Sequence, residues 1–162
     1  MLKESEIHKE LDLIQGIVKR MADNSFKVKT WTMAIVGGVL ALAKEIIFPA
    51  KDAAMNEPAA IGLSIFLVLV VLMFWYLDGF FLRTEKLYRN LYKWVLENHS
   101  KTDDYLYDLN TFTRIVNKKE TFIKAPPVCW VMFTKTLWPF YCIPLIFVLA
   151  LLVYNIFTVA II

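Results

Sequence analysis

Four basic side chains, Arg83, Lys86, Arg89 and Lys93, recur every three or four residues in a chain of 162, with Tyr88 and Tyr92 between them and Trp94 just beyond. On a helix that spacing gathers the cations on one face. Clustered cations recognise anions, so the chemistry on offer is phosphate binding. The phosphate would belong either to an anionic lipid headgroup or to a soluble nucleotide whose base stacks on an aromatic ring. Lys118 and Lys119 supply two further charges downstream. Catalysis has no comparable basis. The two histidines, His8 and His99, stand apart, and the sequence contains no Gly-rich phosphate loop, HExxH, CxxC or nucleophile elbow. Asp103 and Asp104 are adjacent acids in a polar stretch, the pattern of a solvated turn. Cys129 and Cys142 lack the paired Cys/His spacing of a zinc site and cannot form a disulfide framework. The expectation is a protein that is not an enzyme and uses no metal and no cofactor.

The elements that must position the basic face are membrane helices. Hydrophobic residues make up 58% of the chain and charged residues 20%, with a mean hydropathy of +0.51. An ordinary soluble domain carries about 45–50% apolar and 25% charged residues. The excess lies in three runs: eighteen residues from Trp31 to Phe48, twenty from Pro58 to Leu77, and twenty-seven from Thr136 to Ile162. The last two are uncharged and long enough to cross about 30 Å of hydrocarbon. The first carries Lys44 and Glu45 near its far end, where a long Lys can snorkel, and Trp31 marks its other edge. Three transmembrane helices follow.

Of eighteen basic residues, six lie in residues 1–30 and ten in 83–135. The positive-inside rule therefore places both segments in the cytoplasm, the loop from Pro49 to Glu57 outside, and the C-terminus at or beyond the outer face of the membrane. No cleavable signal sequence is expected, because charge alternates with apolar residues through the first thirty positions. The fold class is all-α. Residues 1–29 form a cytoplasmic amphipathic helix, 30–82 the first two spans and their external loop, 83–135 a basic cytoplasmic segment, and 136–162 the third span.

In the N-terminal helix Ile7, Leu11, Ile14, Val18 and Met21 form a stripe in four-three spacing, and Asp23-Asn24-Ser25 marks a break before the first span. Acids and bases are nearly balanced there, so attraction to anionic lipid is weak. The stripe suits a seam that packs against copies of itself or against the cytoplasmic segment, as a gate or an oligomerisation helix. Leu87, Leu91 and Val95 with Tyr88 and Tyr92 give that segment its own apolar face. Beyond Ser100 one or two short helices are expected, then a sharp turn at Pro126-Pro127.

Polar and small residues in or beside the spans need explanation, because an unpaired polar group in hydrocarbon is costly. Asp78 sits one residue past the second run, either paired with a Lys or Arg from the first thirty residues or facing a water-filled vestibule. Asn155 and Thr158 lie one turn apart in the last run, where they suit helix association or a pore lining. Ala34, Gly37, Gly38 and Ala41 form two overlapping small-xxx-small pairs, within one subunit or between subunits. Three spans are too few to enclose a path alone, so conduction would require an oligomer.

Three stretches carry a resemblance. They are Arg20-Met21-Ala22-Asp23-Asn24-Ser25-Phe26 with Lys29-Thr30-Trp31; Phe74-Trp75-Tyr76-Leu77-Asp78-Gly79-Phe80-Phe81-Leu82-Arg83; and Thr134-Lys135-Thr136 with Pro139-Phe140-Tyr141. The chain resembles small three-span inner-membrane proteins of bacterial anti-phage defence loci and is similar in this respect to the Hailong transmembrane channel effector. That resemblance implies a homo-oligomeric, tetrameric ion channel that depolarises the membrane. It also implies control by a nucleotide or oligonucleotide made by a partner nucleotidyltransferase, with the N-terminal helix as a lock. It assigns no residue a role. The alternative is a non-conducting anchor or scaffold that recruits a cytoplasmic partner protein.

Overall fold

A computed structural model of the chain describes residues 4–47, 57–98, 105–111, 114–116, 119–121 and 124–161. Helix α1 spans Glu4–Leu42, α2 Lys44–Ile47, α3 Glu57–Asn98, α4 Val128–Met132 and α5 Trp138–Ile161. Strands β1 (Arg114–Val116) and β2 (Lys119–Thr121) pair antiparallel. The protein is thus almost wholly helical. Two helices, α3 over Pro58–Asn98 and α5 over Trp138–Phe157, are long and apolar enough to cross a membrane.

Two expectations need correction. The break at Asp23-Asn24-Ser25 does not occur, and α1 runs through it as one helix of 39 residues. Asp, Asn and Ser each cost well under about 1 kcal/mol in a helix interior relative to Ala, and apolar burial on either side of them is larger. Leu11, Ile14, Val28 and Val36 are all buried, and Ser25 is buried too. The expected short helices beyond Ser100 are replaced, among the described residues, by the β1–β2 ladder, in which Val116 faces Lys119 and Ile115 faces Glu120. Ile115, Val116 and Thr121 are β-branched, a residue class that favours a pleated strand over a helix.

α1 ends at Leu42, and Ala43 is a turn. The Ala43 amide still donates to the Val39 carbonyl at 2.9 Å, and the Ile46 amide donates to the Ala43 carbonyl at 3.0 Å, a tightened last turn that leads into α2. At the start of α3, Pro58 occupies the first turn, where its missing N–H costs nothing. Tyr105 and Tyr107 adopt left-handed backbone, with φ of 66° and 58°. The Asp108 carboxylate accepts the Asn110 amide at 2.9 Å in the same turn.

The described chain divides into two compact units. Unit 1 comprises Met1–Ser25 and Gly79–Val131, and unit 2 comprises Phe26–Asp78 and Met132–Ile162. The core of unit 1 joins Leu11 and Ile14 of α1 to Leu91, Trp94 and Val95 of α3, with Ile7, Val18, Leu87, Tyr88 and Tyr92 packed around it. Burial of each large aliphatic side chain contributes about 1.5–3 kcal/mol. Tyr105 closes over Trp94 edge-on, with ring centroids 6.1 Å apart.

Unit 2 buries one stripe from each of three helices. Val28, Thr32 and Val36 come from α1; Ala60, Ser64, Leu67, Val71, Trp75 and Asp78 from α3; Tyr141, Val148, Leu151 and Asn155 from α5. The spacing of three and four residues is that of helices in contact along their length. The opposite faces of α3 and α5 leave Leu69, Met73, Ile143, Ile146 and Phe157 exposed, an apolar exterior of the kind that lipid covers.

Candidate functional site

A cavity of about 790 Å³ opens in unit 1 between α1 and α3. Its wall is built from Gln15, Val18, Lys19 and Ala22 of α1, from Lys86, Arg89, Asn90, Tyr92, Lys93 and Leu96 of α3, and from Pro126. The α1 contributors sit at i, i+3, i+4 and i+7, along the edge of the apolar stripe that packs on α3. The stripe buries itself and leaves the adjacent polar edge facing the basic face of α3.

Hydrogen bonds fix the walls. The Gln15 amide donates to the Tyr92 hydroxyl at 3.2 Å, a polar tie from α1 to α3 at the cavity edge. Arg89 pairs with Glu85 one turn earlier, Nε to Oε1 at 2.7 Å, which holds its guanidinium in a defined orientation. Asn90 donates to the Lys124 carbonyl at 2.7 Å, and Arg83 donates to the Pro126 carbonyl at 3.2 Å, so two α3 side chains secure the strand of chain that carries Pro126. No acidic residue lines the cavity among the described residues, and Lys19, Lys86 and Lys93 make no ion pair there. An open groove of this size with several cations and one aromatic on its walls suits a phosphate-bearing small molecule.

Of the basic residues singled out from the sequence, Lys86, Arg89 and Lys93 meet in this cavity. Arg83 does not line it and is engaged by Pro126. Lys118 lies outside the described residues, as does the side chain of Lys119, whose backbone is in β2. The aromatic part of the expectation narrows as well. Trp94 is buried in the core and Tyr88 packs against that core, leaving Tyr92 as the cavity's aromatic. Lys19 and Gln15 were not anticipated. Their signal was present, since both flank the apolar stripe with helical spacing, but only the pairing of α1 with α3 turns that edge toward other cations.

The stripe itself is covered within the chain: Leu11 and Ile14 are core residues of unit 1, Ile7 and Val18 pack against them, and Met21 is half-buried. In unit 2, Asp78 is completely buried and its Oδ2 lies 2.6 Å from Lys29 Nζ. Tyr141 donates its hydroxyl to the same oxygen at 3.0 Å. The ion pair thus joins α1, α3 and α5. Trp75 stacks on Tyr141 with rings nearly parallel at 6.1 Å, and its indole N–H donates to the Met132 carbonyl at 3.0 Å. Lys29 is the partner from the first thirty residues that Asp78 requires.

Asn155 is buried and donates to Ser64 Oγ at 3.3 Å, linking α5 to α3, while Ser64 donates to the Ala60 carbonyl at 2.9 Å. The side chain of Thr158 lies outside the described residues. Ala34, Gly37, Gly38 and Ala41 are exposed, and a Cβ added at Gly37 or Gly38 would meet nothing within 4 Å. Among the described residues nothing packs on this small-residue face. Among the described residues no group of three or more His, Cys, Asp or Glu side chains is placed to hold a metal ion. In comparison with known proteins, no family model, curated protein or solved structure matches the chain.

Proposed function

We propose that this protein is a homo-oligomeric membrane channel, or a membrane-depolarising effector, controlled by a nucleotide-type ligand bound on its cytoplasmic side. The observation that carries this reading is the basic cavity. Its walls are two helices, α1 and α3, and α3 is also one of the two helices apolar enough to cross a membrane. A ligand in the cavity therefore touches a helix that continues into the lipid-facing part of the chain. The second half of α1 with α2 supplies a third span, so that the N-terminus is cytoplasmic and the C-terminus external in a bacterial inner membrane. The outward small-residue face of Ala34, Gly37, Gly38 and Ala41 supplies a close-packing surface for neighbouring subunits of a tetramer. Anti-phage defence, with the ligand made by a partner nucleotidyltransferase, is the setting that the resemblance implies.

The test is ion flux through liposomes containing the purified full chain, recorded with and without added nucleotide, for the parent and for Lys86→Gln with Lys93→Gln. The expected result is a nucleotide-dependent change in flux that the double variant abolishes while the oligomer's mass is unchanged. Absence of flux in every condition overturns the channel reading. The alternative is a non-conducting anchor, favoured by one observation: Trp130 is 77% exposed in unit 1, as a docking residue would be. It predicts co-purification of a stoichiometric soluble protein that Trp130→Ala releases.

A further inference from the structure

Three helices of unit 2 change character at the same height. On α1, Lys27 and Lys29 are followed by Trp31 and then by an uncharged run from Met33 to Leu42. On α3 the uncharged run that starts at Pro58 ends at Leu77, with Tyr76 just inside it and Asp78 just outside. Lys135 comes three residues before Trp138, the first residue of α5, and no charge follows it. On each segment, then, the nearest charge lies two or three residues from a Trp or Tyr. Trp31, Tyr76 and Trp138 are exposed, as are Lys27 and Lys135.

Each of these borders belongs to one helix, but their alignment belongs to the packing. Lys29 Nζ lies 2.6 Å from Asp78 Oδ2, and the Tyr141 hydroxyl donates to the same oxygen at 3.0 Å. That junction pins α1, α3 and α5 at one level. At 1.5 Å per residue, Trp31 and Tyr76 stand about 3 Å from it along their helices, and Trp138 about 4.5 Å. The Asn155–Ser64 contact falls fourteen residues from the junction along both α5 and α3, so the uncharged runs of these two helices extend in the same direction.

Trp and Tyr each join an apolar ring to one polar hydrogen-bonding group, which suits the layer between hydrocarbon and water. Exposed side chains on the uncharged runs include Met33, Leu69, Met73 and Ile143, which suit hydrocarbon. Lys27 and Lys135, on the charged side, suit the phosphates of lipid headgroups. Resting on the membrane reading, we propose that Trp31, Tyr76 and Trp138 form an interfacial girdle that seats unit 2 in one leaflet, with Lys27 and Lys135 on lipid phosphates. The Lys29–Asp78 pair then sits at the edge of the hydrocarbon, where headgroups and water reach the partly exposed Lys29.

The test uses the full chain with Cys129→Ser and Cys142→Ala, in vesicles of phosphatidylcholine and phosphatidylglycerol. A nitroxide is attached at one of Trp31→Cys, Tyr76→Cys, Trp138→Cys or, as a deep reference, Leu69→Cys, which lies about 10 Å from Tyr76 along α3. Accessibility to oxygen against a water-soluble nickel chelate gives the depth of each label. The three girdle labels are expected at one depth to within about 8 Å, each shallower than Leu69→Cys by about 8 Å or more. If Leu69→Cys is deep and any of the three is equally deep, the girdle is overturned and the membrane reading stands. If Leu69→Cys is as open to the chelate as the other three, the chain does not sit in hydrocarbon and the membrane reading itself falls. Spectra broadened by labels of a second copy at all three positions would assign the aromatics to a subunit contact and overturn the lipid partner. A readout that keeps the aromatics in place uses a Trp130→Phe background. There, lipids brominated near the carbonyl end of the chain should quench tryptophan emission more than lipids brominated near the methyl end, and Trp31→Phe with Trp138→Phe should remove most of that difference. A difference that persists would also overturn the girdle.

Discussion

Asp78 shows what a single residue costs when it leaves water. Its carboxylate has no solvent exposure, and Lys29 and Tyr141 both reach the same oxygen. Removal of one partner of a buried pair is far more damaging than removal of both, because the survivor keeps its desolvation cost without compensation. Lys29→Met is therefore expected to destabilise unit 2 by about 3–5 kcal/mol, and Lys29→Met with Asp78→Asn to recover most of that loss. Thermal unfolding in detergent, followed by tryptophan fluorescence, distinguishes the cases; equal melting of single and double variants would show that the pair contributes nothing. Asn155 is the contrasting residue. Its bond to Ser64 is long, at 3.3 Å, and its buried Oδ1 has no hydrogen-bond partner among the described residues. Interhelical hydrogen bonds in membranes average about 0.6 kcal/mol. Asn155→Leu should thus change stability by less than about 1 kcal/mol, and a collapse of the fold in that variant would assign Asn155 a role beyond helix association.

At the scale of elements, α1 and α3 run to 39 and 42 residues, and the first part of α1 with the last part of α3 belongs to unit 1. Their pairing there depends on a small core, Leu11 and Ile14 against Leu91, Trp94 and Val95. Ile14→Ala removes a fully buried side chain and should cost about 2–5 kcal/mol. The loss is expected to be local, as faster amide exchange in residues 4–25 and 86–98 with unchanged protection in α5. Uniformly faster exchange in all three helices would show that the two units unfold together. The same core sets the cavity, because burial of the apolar stripe is what presents Gln15 and Lys19 to the α3 cations. Binding of an anion and packing of the stripe should therefore weaken together in Ile14→Ala.

For the whole molecule, the decisive feature is where apolar and small residues remain uncovered. Leu69, Met73, Ile146 and Phe157 stay exposed on α3 and α5, and Gly37 and Gly38 open onto empty space. A Cβ added at Gly38 meets nothing within 4 Å among the described residues, so Gly38→Leu should leave the monomer's thermal stability unchanged or raise it by up to about 1 kcal/mol, since glycine is a poor helix residue. If the small-residue face joins subunits, the same substitution should lower the oligomer's mass in detergent, measured by light scattering. An unchanged mass would place the subunit contacts elsewhere.

Much of this architecture was legible in the sequence, and for a physical reason. Long apolar runs and a four-three stripe are statements about single helices, and helix formation depends on near neighbours. The apolar character of α3 and α5, the amphipathic start of α1 and the basic face of α3 accordingly follow from residue order alone. Local chemistry misled where burial outweighed it. Asp23-Asn24-Ser25 has the composition of a helix break, yet the helix continues because Leu11 and Ile14 on one side and Val28 and Val36 on the other are all buried along it. The segment beyond Ser100 is polar enough for several conformations, and pairing of Ile115 with Glu120 across a ladder selected one of them. What the tertiary structure alone decided are the meetings of residues far apart in the chain: Lys29 with Asp78 and Tyr141, and Lys19 with Lys86 and Lys93 around one cavity. Charge in a sequence says that a partner or solvent is needed, but which partner it finds depends on how the helices pack, and that is set by the sum of many weak apolar contacts.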